Sequence, residues 1–283
     1  MSEPRYPTVH VDVGAIEAPV VAELLFELGA SGVEHRDRNT LDKAEGGDIT
    51  LVAHFADETE AEEIATTLSA RWPARVVSIE GDAWRDEWKR FFKPVAIGKR
   101  LVVRPSWEPF EPKRGQVVLT LDPGQAFGTG THESTRLVLA EVERLVRGGE
   151  RVLDVGCGSG ILGIAALLLG AERVHAIDID PAAIQVTREN ARLNRVASRL
   201  RASGTWMSRV RGQFDLVLAN IRAPILAPNA NVLAKLIAPG GSLVLSGLLV
   251  AEEDEIREAY RGLALARRRV DGDWLGLTYR KRK

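Results

Sequence analysis

The chain has 283 residues, enough for one large domain or two ordinary ones, and 45% of them are hydrophobic, so it can bury a sizeable core. Its formal net charge of −1 gives no global attraction to nucleic acid or membrane, and no apolar run approaches the ~20 residues that span a bilayer. The single cysteine, Cys157, excludes an internal disulfide, and the N-terminal Met-Ser-Glu-Pro-Arg-Tyr-Pro lacks a signal peptide's apolar stretch, so a cytoplasmic protein is expected.

Residues 8 to 80 carry one pattern. "TVHVDV" alternates and predicts a strand; "APVVAELLFELGA" has apolar residues at helical spacing and ends near Gly29. "SGVEHRD" and "DITLVAHFA" predict two more strands, "ETEAEEIATTLSARW" an amphipathic helix and "ARVVSIE" a closing strand. The order βαββαβ is that of a ferredoxin-like α+β domain, expected over 1–80. Nothing in it patterns as catalytic. His10, His35 and His54 are scattered and read as strand or surface residues, and such a domain is expected to position a partner.

Residues 81–115 are expected to be a linker. "DAWRDEWKRFFKPV" predicts a short helix stopped by Pro94, with its aromatic residues packing inward, and "GKRLVVRPSW" predicts a strand before a polar loop.

From 116 to 283 strand and helix alternate, which argues for a mostly parallel sheet covered on both faces. The expected strands are "RVLDV", "RVHAID", a weak one near "RLRAS", "FDLVLAN" and "SLVLSG". Between them lie helices in "ILGIAALLL", "PAAIQVTRENARLN", Leu226 to Ile237 and "AEEDEIREAYRG". At the end, "ALARRRV" and "WLGLTYR" are separated only by Asp271-Gly272-Asp273. That gap is too short for a crossover helix and makes an antiparallel hairpin. The fold class is therefore α/β: a Rossmann-like sheet finished by an antiparallel hairpin, the pattern of class I methyltransferases. The basic clusters Arg267–Arg269 and Arg280–Lys283 read as a solvated face and tail rather than an RNA contact.

The chemistry concentrates after "RVLDV". Gly158 to Gly163 spells G-x-G-x-x-G, a dinucleotide fingerprint, and an NAD-dependent oxidoreductase is the rival reading. From Asp154 the same stretch is D-x-G-x-G-x-G. Glycine at Gly156 and Gly158 lets the backbone reverse at a strand end and approach a ligand with no Cβ in the way. Asp154 is expected to hold an ammonium, directly or through water, a group that S-adenosylmethionine carries. A carboxylate there would be unwelcome beside a pyrophosphate.

The next strand ends "AIDIDP". Asp180 precedes a proline at the first helical position and is expected to be the N-cap. Asp178, at the strand tip, is left to take both ribose hydroxyls, with Ile179 covering the adenine. "FDLVLAN" puts Asn220 at a strand's carboxyl end, where ligands bind in open α/β sheets; its amide can offer both a donor and an acceptor. Upstream, "LDPGQAFGTGTHESTRLVL" is a glycine-rich loop feeding a helix near His132, with Thr135 in its first turn. The loop is expected to act as a lid. His132 reads as a cap or solvent-facing residue rather than a base, and Cys157 as a small residue inside the turn. Neither a metal-ligand spacing nor a nucleophile elbow occurs.

"DPGQAFGTGTHESTR", "VLDVGCGSGILGIAALLLGA", "AIDIDPAAIQVTRENARLN" and "LVLANI" together resemble the bacterial methyltransferases of the large-subunit stalk protein L-eleven, and "WRDEWKRFFKPVAIGKRLVVRPSW" resembles that family's linker. The resemblance runs from about residue 82 to the end. It implies S-adenosylmethionine as cofactor, lysine side chains and the N-terminal α-amine of a stalk-base ribosomal protein as acceptors, and cofactor contacts at Thr135, Gly156, Asp178 and Asn220. A monomer with no membrane contact and no sequence-specific nucleic-acid contact is expected. The runner-up within methyltransferases is a lysine methyltransferase acting on another protein. One stretch departs from the family: Ile221-Arg222-Ala223-Pro224-Ile225-Leu226 carries an added arginine and an early proline.

Overall fold

The computed structural model describes residues 5–15, 17–30, 32–37, 44, 48–55, 57–80, 93–122 and 132–283. The chain divides into two compact units, Met1–Phe91 and Phe92–Lys283. The helix expected at 82–93 lies almost wholly outside the described residues, as does the glycine-rich loop at 123–131.

In the first unit the order is β1 (Arg5–Val13), α1 (Ala18–Glu27), β2 (Gly32–Arg36), β3 (Ile49–His54), α2 (Glu58–Leu68) and β4 (Ala74–Glu80). The four strands form one sheet in the order β2-β3-β1-β4, with every neighbouring pair antiparallel. Val9, Val11 and Val13 alternate onto one face and are buried against Val21 and Leu25 of α1 and Leu68 of α2. The Asp57 side chain accepts from the Glu60 N–H and caps α2, satisfying a donor that helix geometry leaves open.

The second unit opens with a small sheet of β5 (Val95–Ala96), β6 (Leu101–Pro105) and β7 (Val117–Leu121), in which β6 and β7 run parallel. β7 is a strand beyond those expected. Leu101 and Val103, from the segment expected to be a linker, are buried in the same core as Val138 and Val152. Side chains of the large domain fix this sheet. The Glu143 carboxylate accepts from the N–H groups of Lys99, Arg100 and Leu101. Asn194 exchanges two hydrogen bonds with the Thr120 backbone, and Asn190 does the same at Asp122. β7 therefore ends in a fixed place at Leu121.

The remaining elements are α3 (Glu133–Leu145), β8 (Arg151–Val155), α4 (Ile161–Leu169), β9 (Arg173–Ile177), α5 (Pro181–Leu193), β10 (Leu200–Ser203), β11 (Phe214–Asn220), α6 (Ala223–Leu226), α7 (Ala230–Leu236), β12 (Ile237–Leu249), α8 (Glu253–Ala259), β13 (Ala264–Asp271) and β14 (Trp274–Arg280). Seven strands form a mixed sheet, β10-β9-β8-β11-β12-β14-β13. The first five are parallel, while β14 is antiparallel to both its neighbours. Along β11, Leu216 and Leu218 enter one core while Val217 and Ala219 enter the other. That burial on both faces is why the parallel strands read as continuous apolar runs. The helix expected from Leu226 to Ile237 is instead two short ones, with Pro228, which has no N–H to donate, between them. Among the described residues, no helix is long and apolar enough to cross a membrane.

The terminal hairpin grips α3 along its length. The His132 ring sits edge-on to Trp274, with centroids 4.6 Å apart. Arg136 donates to Asp271 at 2.8 Å, and the buried Glu141 carboxylate accepts from Thr278 at 2.9 Å. Arg267 and Arg268, expected on a solvated face, are ion-paired with Glu141 and Glu253.

Candidate active site

A cavity of about 280 Å³ opens at the carboxyl ends of β8, β9 and β11. The turn after β8 forms its floor. Gly156, Gly158 and Gly160 have φ of 70°, 51° and 80°, a region that side chains other than glycine's disfavour. A Cβ on Gly156 would also run into Ile221 on the opposite wall. The turn is pinned by the Gly156 N–H donating to the Ile177 carbonyl at 2.9 Å and the Gly158 N–H donating to the Asp178 carboxylate at 2.9 Å.

Asp178 stands at the end of β9 and lines the cavity. Its second oxygen accepts from the Asp180 N–H at 3.1 Å, so two backbone donors hold the carboxylate before any ligand arrives. Asp180 takes the capping role expected of it, accepting from the Ala182 N–H at 2.8 Å.

Asn220 ends β11 and lines the cavity together with Thr135. Its Nδ2 donates to Thr135 Oγ1 at 3.2 Å, across 85 residues of sequence. Its Oδ1 is buried and has no hydrogen-bond partner among the described residues. A buried acceptor without a donor is costly, and one at a cavity wall suits a ligand N–H. Sequence reasoning did not single out Thr205, Trp206 and Met207, which also line the cavity, together with Ile225 of the departing stretch. Their signal is position: they follow the ends of β10 and β11, where such sheets bind ligands.

Asp154 sits deeper than the cavity lining. It is fully buried, does not line the cavity, and its Oδ2 accepts from the Gly163 N–H at 2.9 Å. Of the two routes expected to a ligand ammonium, the direct one is closed and the one through water is left. Side chains alternate along β8, so Val155 faces the cavity and Asp154 faces α4. Gly163 makes room for it: a Cβ there would lie 2.8 Å from Val174 and 3.1 Å from the carboxylate. Burial, opposed by the Gly163 N–H and reinforced by Asp178, pushes the Asp154 carboxyl up from 3.8 to about 7. A raised carboxyl pKa means that the folded chain keeps a proton the unfolded chain has lost, so stability falls as pH rises between those values. Asp154→Asn removes that slope. Melting temperatures of wild type and variant are expected to diverge in the variant's favour from pH 4 to about 7 and to run parallel above it; parallel curves throughout would refute the protonated carboxyl.

The His132 Nδ1 accepts from the Ser134 N–H and caps α3, the structural role expected of it. Burial, with the Asp154 charge adding to it, pushes the Cys157 thiol up, which disqualifies it as a nucleophile at neutral pH. Gly163 packs where either glycine register would put it, so it does not separate the two readings. The antiparallel end of the sheet does, since a dinucleotide domain continues with parallel strands.

A seven-stranded sheet with this end, a glycine turn and a strand-tip carboxylate define a methyltransferase-like α/β fold. A family model described as "Ribosomal protein L11 methyltransferase (PrmA)" matches residues 5–282, and the chain belongs to that family. It is thus a protein methyltransferase that uses S-adenosylmethionine. Among curated relatives, the ribosomal protein L11 methyltransferase of Sorangium cellulosum is 49% identical over 92% of this chain and 84% of its own length. That of Geobacter metallireducens is 40% identical over 96% of both chains. A crystal structure titled as the ribosomal protein L11 methylase of Lactobacillus delbrueckii subsp. bulgaricus superposes with a TM-score of 0.64 at 33% identity, covering 68% of this chain and all of that one.

Proposed function

We propose that this enzyme methylates lysine side chains and the N-terminal α-amine of ribosomal protein L11, the protein of the large-subunit stalk base, as a cytoplasmic monomer. The observation that carries the reading is Asn220, an amide at the cavity wall with a buried, partnerless Oδ1. Asp178 would hold the ribose hydroxyls, Thr135 and the Gly156–Gly158 turn would bound the cofactor, and Asn220 would orient the incoming amine.

S-adenosylmethionine, when bound, supplies a methyl group on a cationic sulfur that an amine displaces in line. The chain's task is then alignment and water exclusion. A lysine has a reference pKa of ~10.4, so on the order of one in a thousand is neutral at pH 7. The apolar walls contributed by Ile221, Ile225 and Met207 would desolvate the ammonium, and desolvation lowers a lysine pKa. The Asn220 Oδ1 would accept one N–H of the neutral amine and aim its lone pair at the methyl carbon. No dedicated general base is needed, because the amine sheds its proton to solvent on entry.

The first unit would act as a ferredoxin-like recognition domain over 1–80, joined to the methyltransferase domain at 116–283 through the segment 81–115, whose β6 packs into the methyltransferase core. Deleting residues 1–80 is expected to abolish L11 methylation and leave cofactor affinity unchanged. Intact-mass analysis of purified L11 after incubation with enzyme and S-adenosylmethionine tests the whole reading. Single-methyl mass increments on L11 support it. An unchanged L11 mass would refute it, and full activity of the truncated enzyme would refute the domain assignment.

A further inference from the structure

Charge is segregated on one edge of the methyltransferase sheet. Residues 181–203, which comprise α5, a short turn and the edge strand β10, contain five arginines (Arg188, Arg192, Arg195, Arg199 and Arg201) against one carboxylate, Glu189. The whole chain is nearly neutral at −1, so the imbalance is local. All five arginines are exposed. None of them pairs with a carboxylate among the described residues, and Glu189 accepts from Gln185 instead. Elsewhere in the same domain the arginines are mixed: Arg136, Arg144, Arg257, Arg261, Arg267 and Arg268 each pair with a carboxylate, whereas Arg209, Arg211, Arg222 and Arg269 have no carboxylate partner among the described residues.

The fold places the five around one sheet edge: Arg188, Arg192 and Arg195 lie on or just after α5, while Arg201, which alternates with the buried Ala202 that packs toward α5, lies on the opposite face of the edge strand. Arg188 on α5 donates to the Ala202 carbonyl of β10 at 2.8 Å, which ties helix to strand. Arg192 lies one turn further along the same helix, and Arg195 follows its end. Arg199 donates to the Ala171 carbonyl at 3.0 Å. Arg201 is paired in register with His175 of β9 on the sheet's last strand. α5 starts beside Asp178, at the cavity, and runs away from it, so the arginines accumulate toward the far end of the domain.

We propose that this edge is a docking surface for the phosphate backbone of RNA, separate from the methyl-transfer cavity. Unpaired like charges repel one another and are relieved by a polyanion. Guanidinium forks match phosphate oxygens better than ammonium groups do. A protein partner would call for an apolar centre within the patch, and only Leu193, 46% exposed, provides an apolar side chain of any size there. The choice of RNA over other polyanions rests on the ribosomal substrate proposed above; the charge segregation itself does not. Such a contact is sequence-independent and would hold the enzyme near ribosomal RNA while the cavity acts on protein.

Fluorescence anisotropy of a labelled, mixed-sequence RNA hairpin with the full-length protein tests this without L11, so its outcome is independent of the methylation assay. Five phosphate contacts predict a slope of about −4 for the logarithm of affinity against the logarithm of salt. Arg192→Glu/Arg201→Glu spares the two arginines that hold backbone carbonyls. It is expected to weaken binding more than about tenfold at 100 mM salt and to flatten the slope by about 2, with methylation of free L11 unchanged. The neutral pair Arg192→Gln/Arg195→Gln should give a smaller loss in the same direction. Absence of salt-sensitive binding by wild type, equal binding by both variants, or equally effective competition by polyglutamate would overturn the proposal.

Discussion

Replacing Asn220 by alanine is expected to slow methyl transfer about 10²-fold, because an acceptor held even 1 Å out of line loses that much. Cofactor affinity should fall only about fivefold, the equivalent of one neutral hydrogen bond. The asymmetry follows from the two ends of the amide. Nδ2 is already engaged by Thr135 Oγ1 at 3.2 Å, whereas Oδ1 has no protein partner among the described residues. Thr135→Val, which removes the hydroxyl and keeps the shape, should produce a smaller fall in the same direction by loosening the amide. Single-turnover rates at saturating S-adenosylmethionine, set beside equilibrium binding, separate the effects. Equal losses in rate and affinity would make Asn220 a cofactor ligand and nothing more.

Replacing Asp178 by alanine should do the reverse. Two charge-assisted hydrogen bonds to ribose hydroxyls are worth about 1.5–3 kcal/mol each, so affinity is expected to drop at least about 10²-fold. The loss goes beyond the ligand contacts. The same carboxylate receives the N–H groups of Gly158 and Asp180, so its removal also releases the glycine turn that floors the cavity. Asp178→Asn keeps the shape and one acceptor and should lose less. The transfer rate at saturating cofactor should change little in either variant, because the acceptor side of the cavity is untouched. Titration calorimetry decides it. An affinity within a few-fold of wild type for Asp178→Ala would remove this residue from the ribose site.

Much of this architecture was legible in the residues. Strand and helix alternate audibly from "RVLDV" onward because each buried element carries its own period, and Asp271-Gly272-Asp273 is too short for anything but a hairpin. The Asp-Pro step identified Asp180 as a cap, which left Asp178 for the ligand. β7 escaped notice because a five-residue strand in a side sheet has little pattern of its own, and its edge is satisfied by Asn190 and Asn194 from a helix some 70 residues later. The burial of Asp154 was hidden for a related reason. Its nearness to the glycine turn suggested a ligand role, while the two-residue period of its strand turns it under α4.

The sequence by itself determined the α/β class of the larger unit and the strand ends at which Asp178 and Asn220 sit, because these depend on local period, caps and glycine turns, while the cofactor followed from the family resemblance. Only the tertiary structure decided which side chains meet. It joined Thr135 to Asn220, left one amide oxygen open, closed Asp154 off, and neutralised Arg267 and Arg268 while leaving the arginines of α5 and β10 unpaired. The physical reason is that a hydrogen bond or an ion pair depends on distance in space, and the crossover connections of a parallel sheet bring together residues that the chain keeps far apart.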